Sequence, residues 1–195
     1  MERRANVKRK TSEVEVLVDI NLDGKGNYDI ETGIPFFNHM LSQFAKHGYF
    51  NLTIKAKGDI DIDFHHTVED VGLTLGEAFL KALGDKRGIS RFGEASVPFD
   101  DTLVFASVDL SGRPYLVYRV RTPKSKIGEF DTELGEEFFK SLSNTLKCNL
   151  HIEQKYGNNL HHIIEAMFKA VGRALDKASR VDQRSGEIPS TKGKL

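Results

Sequence analysis

His65-His66-Thr67-Val68-Glu69 and His161-His162-Ile163-Ile164-Glu165 both spell His-His-x-x-Glu, 96 residues apart in a chain of 195. At the head of a helix, the first His and the Glu are four residues apart and share a face, while the second His points about a quarter-turn away. An imidazole and a carboxylate on one face are two ligands for a divalent metal, and the second imidazole offers one ligand elsewhere. A motif of that shape suits two metals, and it occurs twice.

The elements that must position these groups repeat as well. Glu13 to Ile20 alternates as a strand, and Tyr28 to Thr32 reads as its hairpin return across the turn Leu22 to Asn27. Pro35 suits the first turn of a helix whose buried stripe is Phe37, Met40, Leu41 and Phe44, with Gly48 at its C-terminal cap. His39, Gln43 and His47 fall at i, i+4 and i+8 on another face. Asn51 to Ile62 reads as two strands or one long bent strand delivering the chain to His65, and the next helix runs to about Leu83. In the second half Val104 to Leu110 and Pro114 to Tyr118 form another hairpin. Thr132 to Leu146 forms a helix, Cys148-Asn149-Leu150-His151-Ile152 echoes Phe50-Asn51-Leu52-Thr53-Ile54, and a helix follows from His161. His151 belongs to the strand pattern, and Lys8-Arg9-Lys10 reads as a solvated basic run.

An internal duplication accounts for this order. The expected fold is α+β: two half-domains, 1–93 and 94–195, each a few antiparallel strands with helices on one face. Gly76 and Gly172 each stand seven residues past their Glu, where a missing side chain lets another backbone approach. The repeat also maps His39 onto Glu137. Two equivalent ligand sets follow: His39, His66, His161 and Glu165, and Glu137, His162, His65 and Glu69. Each draws on both halves. Imidazole with carboxylate and no thiolate suits Mn(II), Fe(II) or Zn(II).

Composition sets wider bounds. Twenty-eight basic and 28 acidic residues cancel, so no global field recruits nucleic acid or an anionic membrane. No apolar run approaches a membrane span, Met1-Glu2-Arg3-Arg4 lacks a signal-peptide core, and the single cysteine, Cys148, fits a reducing cytoplasm.

Further motifs carry a resemblance. Phe37-Asn38-His39-Met40-Leu41, His47-Gly48, His65 to Asp70, Gly88-Ile89-x-Arg91-Phe92-Gly93, Asp109-Leu110-Ser111-Gly112-Arg113-Pro114, His161 to Glu165 with Phe168-Lys169, and Pro189-Ser190-Thr191-Lys192-Gly193 stand in order. On these the chain resembles the imidazoleglycerol-phosphate dehydratases of histidine biosynthesis over essentially its whole length. The resemblance implies fused halves of the ribosomal protein S5 domain 2-like kind, two Mn(II) ions per site, and 24 identical subunits with sites at their contacts. It implies metal roles for His39, His65, His66, Glu69, His161, His162 and Glu165, with Glu137 as the eighth ligand by the repeat. Arg91, Arg113, Ser190 and Lys192 match residues that hold the substrate phosphate, with Gln43, His47 and Thr191 beside them, and guanidinium forks and an ammonium suit that dianion. Glu13 matches a substrate-contacting carboxylate and is the candidate for moving protons, with Glu69 and Glu165 as rivals. Three positions depart from the family pattern. Asn38 stands where Asp is usual, Phe64 where Asp usually precedes the His pair, and Asp101 where Glu usually follows Asp100. Loss of the acid at 38 or 64 removes a candidate partner of a ligand histidine. Other readings of the same residues are a two-metal phosphate-ester hydrolase and a non-catalytic metal-storage or assembly protein.

Overall fold

The computed structural model describes residues 3–184 and 186–195; Met1 and Glu2 of the Met1-Glu2-Arg3-Arg4 start lie outside them. In chain order the described residues form β1 (Arg4–Lys10), β2 (Val14–Asn21), β3 (Tyr28–Glu31), α1 (Pro35–His47), β4 (Asn51–Gly58) and α2 (His65–Leu83). The second half follows as β5 (Phe92–Phe99), β6 (Thr102–Asp109), β7 (Tyr115–Arg119), the short β8 (Lys126–Ile127) and β9 (Phe130–Asp131), α3 (Leu134–Leu146), β10 (Asn149–Tyr156) and α4 (Leu160–Ser179).

Strict alternation makes β2 and β6 the centre of each half. Val14, Val16, Val18 and Ile20 are all buried along β2, as are Thr102, Val104, Ala106 and Val108 along β6. The sheets are twins, ordered β1-β2-β4-β3 and β5-β6-β10-β7. Helices cover one face of each sheet, α2 lying on β1 and β2 and α4 on β5 and β6, and the two halves then pack helix on helix, α1 against α4 and α2 against α3. This cross-pairing brings residues of one half to the motif of the other. The fold is α+β with a duplicated plan.

The expected hairpins are corrected. β3 does not return against β2 but pairs in parallel with β4, and β7 pairs in parallel with β10. Both edges of β2 are taken, one by β1 and the other by β4, as β6 is flanked by β5 and β10. The connection after β2 therefore crosses the start of β4, where Asn51 Oδ1 accepts the backbone N–H groups of Lys25 and Asn27 at 2.9 and 3.2 Å. A side chain at Gly24 would meet Asn51 N at 2.3 Å, so the crossing requires glycine there. The basic run is likewise not simply solvated. It lies on edge strand β1, where Lys10 pairs with Glu15 at 3.0 Å and Arg9 with Asp70 of α2 at 2.6 Å. The stretch from Asn51 makes one strand ending at Gly58, and 59–64 is the turn that presents the first motif.

The glycines foreseen at the helix contacts are where the halves meet. A Cβ at Gly76 would stand 2.6 Å from the carbonyl oxygen of Leu142 on α3, and one at Gly172 would stand 2.6 Å from that of Phe44 on α1. Gly48 ends α1 in the right-handed region, and Tyr49, not Gly48, takes the left-handed conformation. Its need for glycine is space, since a Cβ would meet the Phe50 ring at 2.4 Å.

Candidate metal and substrate site

Each motif opens a helix, and a polar side chain just ahead sets its first turn. Asn159 Oδ1 accepts the N–H groups of His161 and His162 at 3.0 and 3.3 Å, and Asp63 Oδ1 accepts that of His65 at 2.8 Å. The helical spacing then acts as the sequence suggests. His161 Nε2 lies 3.1 Å from Glu165 Oε2, four residues on. His39 reaches the same oxygen from α1 of the other half, its Nε2 at 3.2 Å. The donor atoms of His39, His161 and Glu165 all lie within 4.8 Å of one another.

Glu165 is 5% exposed, and its other oxygen lies 2.7 Å from Lys169 Nζ. Burial pushes the Glu165 carboxyl up, but the Lys169 ammonium and the two imidazoles outweigh it and hold the group below its ordinary value. It is therefore an anion, and two imidazole nitrogens with one carboxylate oxygen converge on one point. This donor set fits a divalent ion of the Mn(II), Fe(II) or Zn(II) kind.

The second histidine of each pair turns away as the spacing requires. The rings of His65 and His66 stand at 89° and those of His161 and His162 at 80°. His66 Nδ1 lies 2.9 Å from Asp59 and 3.8 Å from Glu13, which places Glu13 at the motif. Asp59 holds His66 in its charged form more readily than free imidazole. His162 Nδ1 lies 2.7 Å from Asp101. The Asp101 carboxyl is held far below the usual range by the Asn158 amide first, then by His162 and the Asn159 amide.

Neither four-ligand set closes within one chain. His66 faces Asp59 instead of joining His39, His161 and Glu165. Among the described residues His65 and Glu69 form no hydrogen bond with each other, His162 turns to Asp101, and Glu137 on α3 pairs with Lys140 at 3.3 Å. The departures also find their places. Asn38 Oδ1 accepts the N–H and hydroxyl of Thr32 ahead of α1, so it serves the turn and touches no histidine. Phe64 packs against the core while the neighbouring Asp63 sets the first turn of α2.

The phosphate candidates gather at the other end of the second half. Arg91 sits in the left-handed region at φ 68°; its Nε and Nη2 meet Asp109 at 2.7 and 3.2 Å, and its Nη1 donates to the Pro189 carbonyl at 2.9 Å. The Glu187 carbonyl accepts the Gly88 N–H at 2.8 Å, so the C-terminal residues are pinned beside Arg91. Ser190 and Lys192 follow directly, with the Lys192 N–H donating to Ser190 Oγ at 3.2 Å, and Thr191 and Lys192 are exposed. Arg113 is exposed, held by its own loop through the Ser111 carbonyl. Gln43 and His47 are half-buried on α1. Burial, then the nearby cations Lys169 and Arg173, lower His47 and favour its neutral form.

Sequence reasoning missed Asp59, Lys169 and the tether made by Asp101. Lys169 carried a signal, four residues past Glu165; Asp59 carried none, because its partner is a ring brought to it by the turn after β4.

Comparison with known proteins agrees with this architecture. The family model for imidazoleglycerol-phosphate dehydratase matches residues 32–175. The chain is 56% identical to the imidazoleglycerol-phosphate dehydratase of Pelobacter propionicus and 57% identical to that of Trichlorobacter lovleyi, over the whole of each chain. Among solved structures, imidazoleglycerol-phosphate dehydratase from Staphylococcus aureus superposes with a TM-score of 0.83 at 38% identity, covering 92% of this chain and 99% of that one. IGPD from Pyrococcus furiosus gives 0.81 at 36% identity, covering 97% and 100%.

Proposed function

The chain belongs to the imidazoleglycerol-phosphate dehydratase family, a hydro-lyase of histidine biosynthesis, and on that premise we propose that it dehydrates imidazole glycerol phosphate with two bound divalent ions, Mn(II) by preference. One carbon loses a proton and its neighbour loses hydroxide. Together these leave as water, and the enol so formed becomes the ketone of imidazole acetol phosphate with the phosphate ester intact. The observation that carries the reading is the convergence of His39 from one half with His161 and Glu165 from the other on one point.

His39, His161 and Glu165 would hold one ion, joined by His66; His65, Glu69 and His162 would hold the second, with Glu137 as its fourth ligand. Such ions supply Lewis-acid charge at the substrate imidazole. Glu13, exposed and 3.8 Å from His66, suits the proton taken from carbon. Arg113 and Lys192, exposed and in no ion pair among the described residues, present positive charge for the phosphate, and Ser190 and Thr191 can donate hydroxyls. Arg91, already shared between Asp109 and Pro189, holds the tail that carries them. Gln43 and a neutral His47 line the same side of α1 as His39.

Completion of the ligand sets by neighbouring copies accounts for histidines that find no partner set within the chain, and a 24-subunit particle with sites at its contacts is the assembly we propose. Among the described residues no helix is long and apolar enough to cross a membrane. Cys148 is the single cysteine, buried with its thiol pushed up to about 12, and a cytoplasmic location belongs to the proposal. Incubation with imidazole glycerol phosphate and Mn(II) should yield the ketone without inorganic phosphate. Phosphate release would mark a hydrolase, and an unchanged substrate would contradict the proposal.

A further inference from the structure

The second histidines of the two motifs are held by carboxylates from different places in the repeat. Glu13 stands just before β2 and Asp101 just before β6; both strands have eight residues and meet twin ladders at the same point, Asn21 opposite Asn51 and Asp109 opposite Asn149. Asp101 is therefore the counterpart of Glu13. Beyond the bulge in β10, Gly157 lies against Thr102 as Gly58 lies opposite Val14, so the uncharged Asn158 is the counterpart of Asp59. In the second half the acid at Glu13's position bonds the histidine. In the first half Asp59 takes that bond at 2.9 Å, and Glu13 stays outside hydrogen-bond reach at 3.8 Å.

We propose that Asp59 and Asp101 are positioning residues that accept the Nδ1–H of His66 and His162 and so turn each Nε2 lone pair outward as a ligand, and that Asp59, by taking this task in the first half, leaves Glu13 uncommitted for proton transfer. The ligand half of the proposal rests on the metal reading above. A carboxylate at one ring nitrogen decides which nitrogen carries the proton and fixes the ring plane. Asp101 is itself locked. Its Oδ2 accepts the Asn158 and Asn159 N–H groups at 2.9 and 3.2 Å, and its Oδ1 takes His162 and the Thr102 hydroxyl. Because Asn159 also caps α4, the β5–β6 turn, the loop and the motif form one unit. Asp100, on the same turn, stands 3.6 Å from His162 Nε2, too far to bond it. Asp59 Oδ1 is buried without a partner among the described residues, so the contact with His66 is its one side-chain hydrogen bond.

Asp101→Asn gives the sharpest test. The two backbone N–H groups require its oxygen on their side, which turns the NH2 toward His162 Nδ1 and forces the proton to Nε2. Magic-angle-spinning NMR of 15N-histidine in the metal-free protein should show His162 protonated at Nδ1 in the wild type and at Nε2 in the variant, with His66 unchanged. Mn(II) titration should show one site weakened by about 10–100-fold, restored by Asp101→Glu, while Asp59→Ala should do the same at His66. If Asp101→Asn keeps the proton on Nδ1 and both Mn(II) affinities, the tether is wrong. A wild type that takes up no Mn(II) would instead overturn the metal reading, and the tautomer would still decide the tether.

Discussion

Glu165 shows how much one residue can carry. Its buried carboxylate meets a lysine and two imidazoles from both halves. Because the folded chain holds its pKa below the ordinary 4.5, the unfolded chain takes up the proton first on acidification. The stability it contributes is complete above that ordinary value and is lost as pH falls through the lower folded value. In the metal-free protein, Tm should fall more steeply below pH 4.5 for wild type than for Glu165→Gln; parallel curves would remove the carboxylate from this account. Glu13 should behave differently, because it is exposed and stands 3.8 Å from His66, outside hydrogen-bond reach. Glu13→Gln should keep the metal content and KM while lowering kcat by roughly a hundredfold or more. Full turnover would move the base to Glu69 or Glu165. The His161–Glu165 pair was legible because a helix turns local spacing into contact. His39 was legible through its spacing with Gln43 and His47, its motif and the repeat, and Asp59 not at all, since its partner is set by how a turn folds back.

Elements were legible where a single period dominates. The four helices and β2 follow from stripes and alternation, and the cross-strand order does not. Short segments such as Tyr28–Glu31 carry no record of which strand they pair with, and the neighbour is decided by which edges are already taken. The helix contacts depend on backbone proximity. Gly172→Ala should gain up to about 1 kcal/mol of helix propensity and lose more, about 1–3 kcal/mol, by driving a Cβ against the Phe44 carbonyl. Urea unfolding should show a net loss, matched by Gly76→Ala and absent in Gly186→Ala, where a Cβ meets nothing within 4 Å. A neutral Gly172→Ala would mean that α1 and α4 can separate without penalty.

The whole molecule is a duplicated fold whose halves diverged in use. The crossed helix packing brings His39 of the first half to His161 and Glu165 of the second, and the proposed ligand sets add His65, His66 and Glu69 from the first half and Glu137 and His162 from the second. The repeat and the periodicity of the strands and helices disclosed the plan. They could not disclose that, among the described residues, only His39, His161 and Glu165 converge within the chain, because that depends on how α1 and α4 cross. If copies complete the sites, chelation should lower the particle mass seen by light scattering, since ligands bound across contacts couple metal uptake to association. A chelated protein that scatters as an unchanged 24-subunit particle would refute metal-linked assembly.

The central claim is that His39 of the first half and His161 with Glu165 of the second hold one of two ions. Its most direct measurement is the Mn(II) bound per chain at saturation, wild type against His39→Ala. The account predicts two ions in the wild type and one in the variant, with His161→Ala losing the same ion. A wild type that binds none, or a His39→Ala protein that still binds two at unchanged affinity, would contradict it.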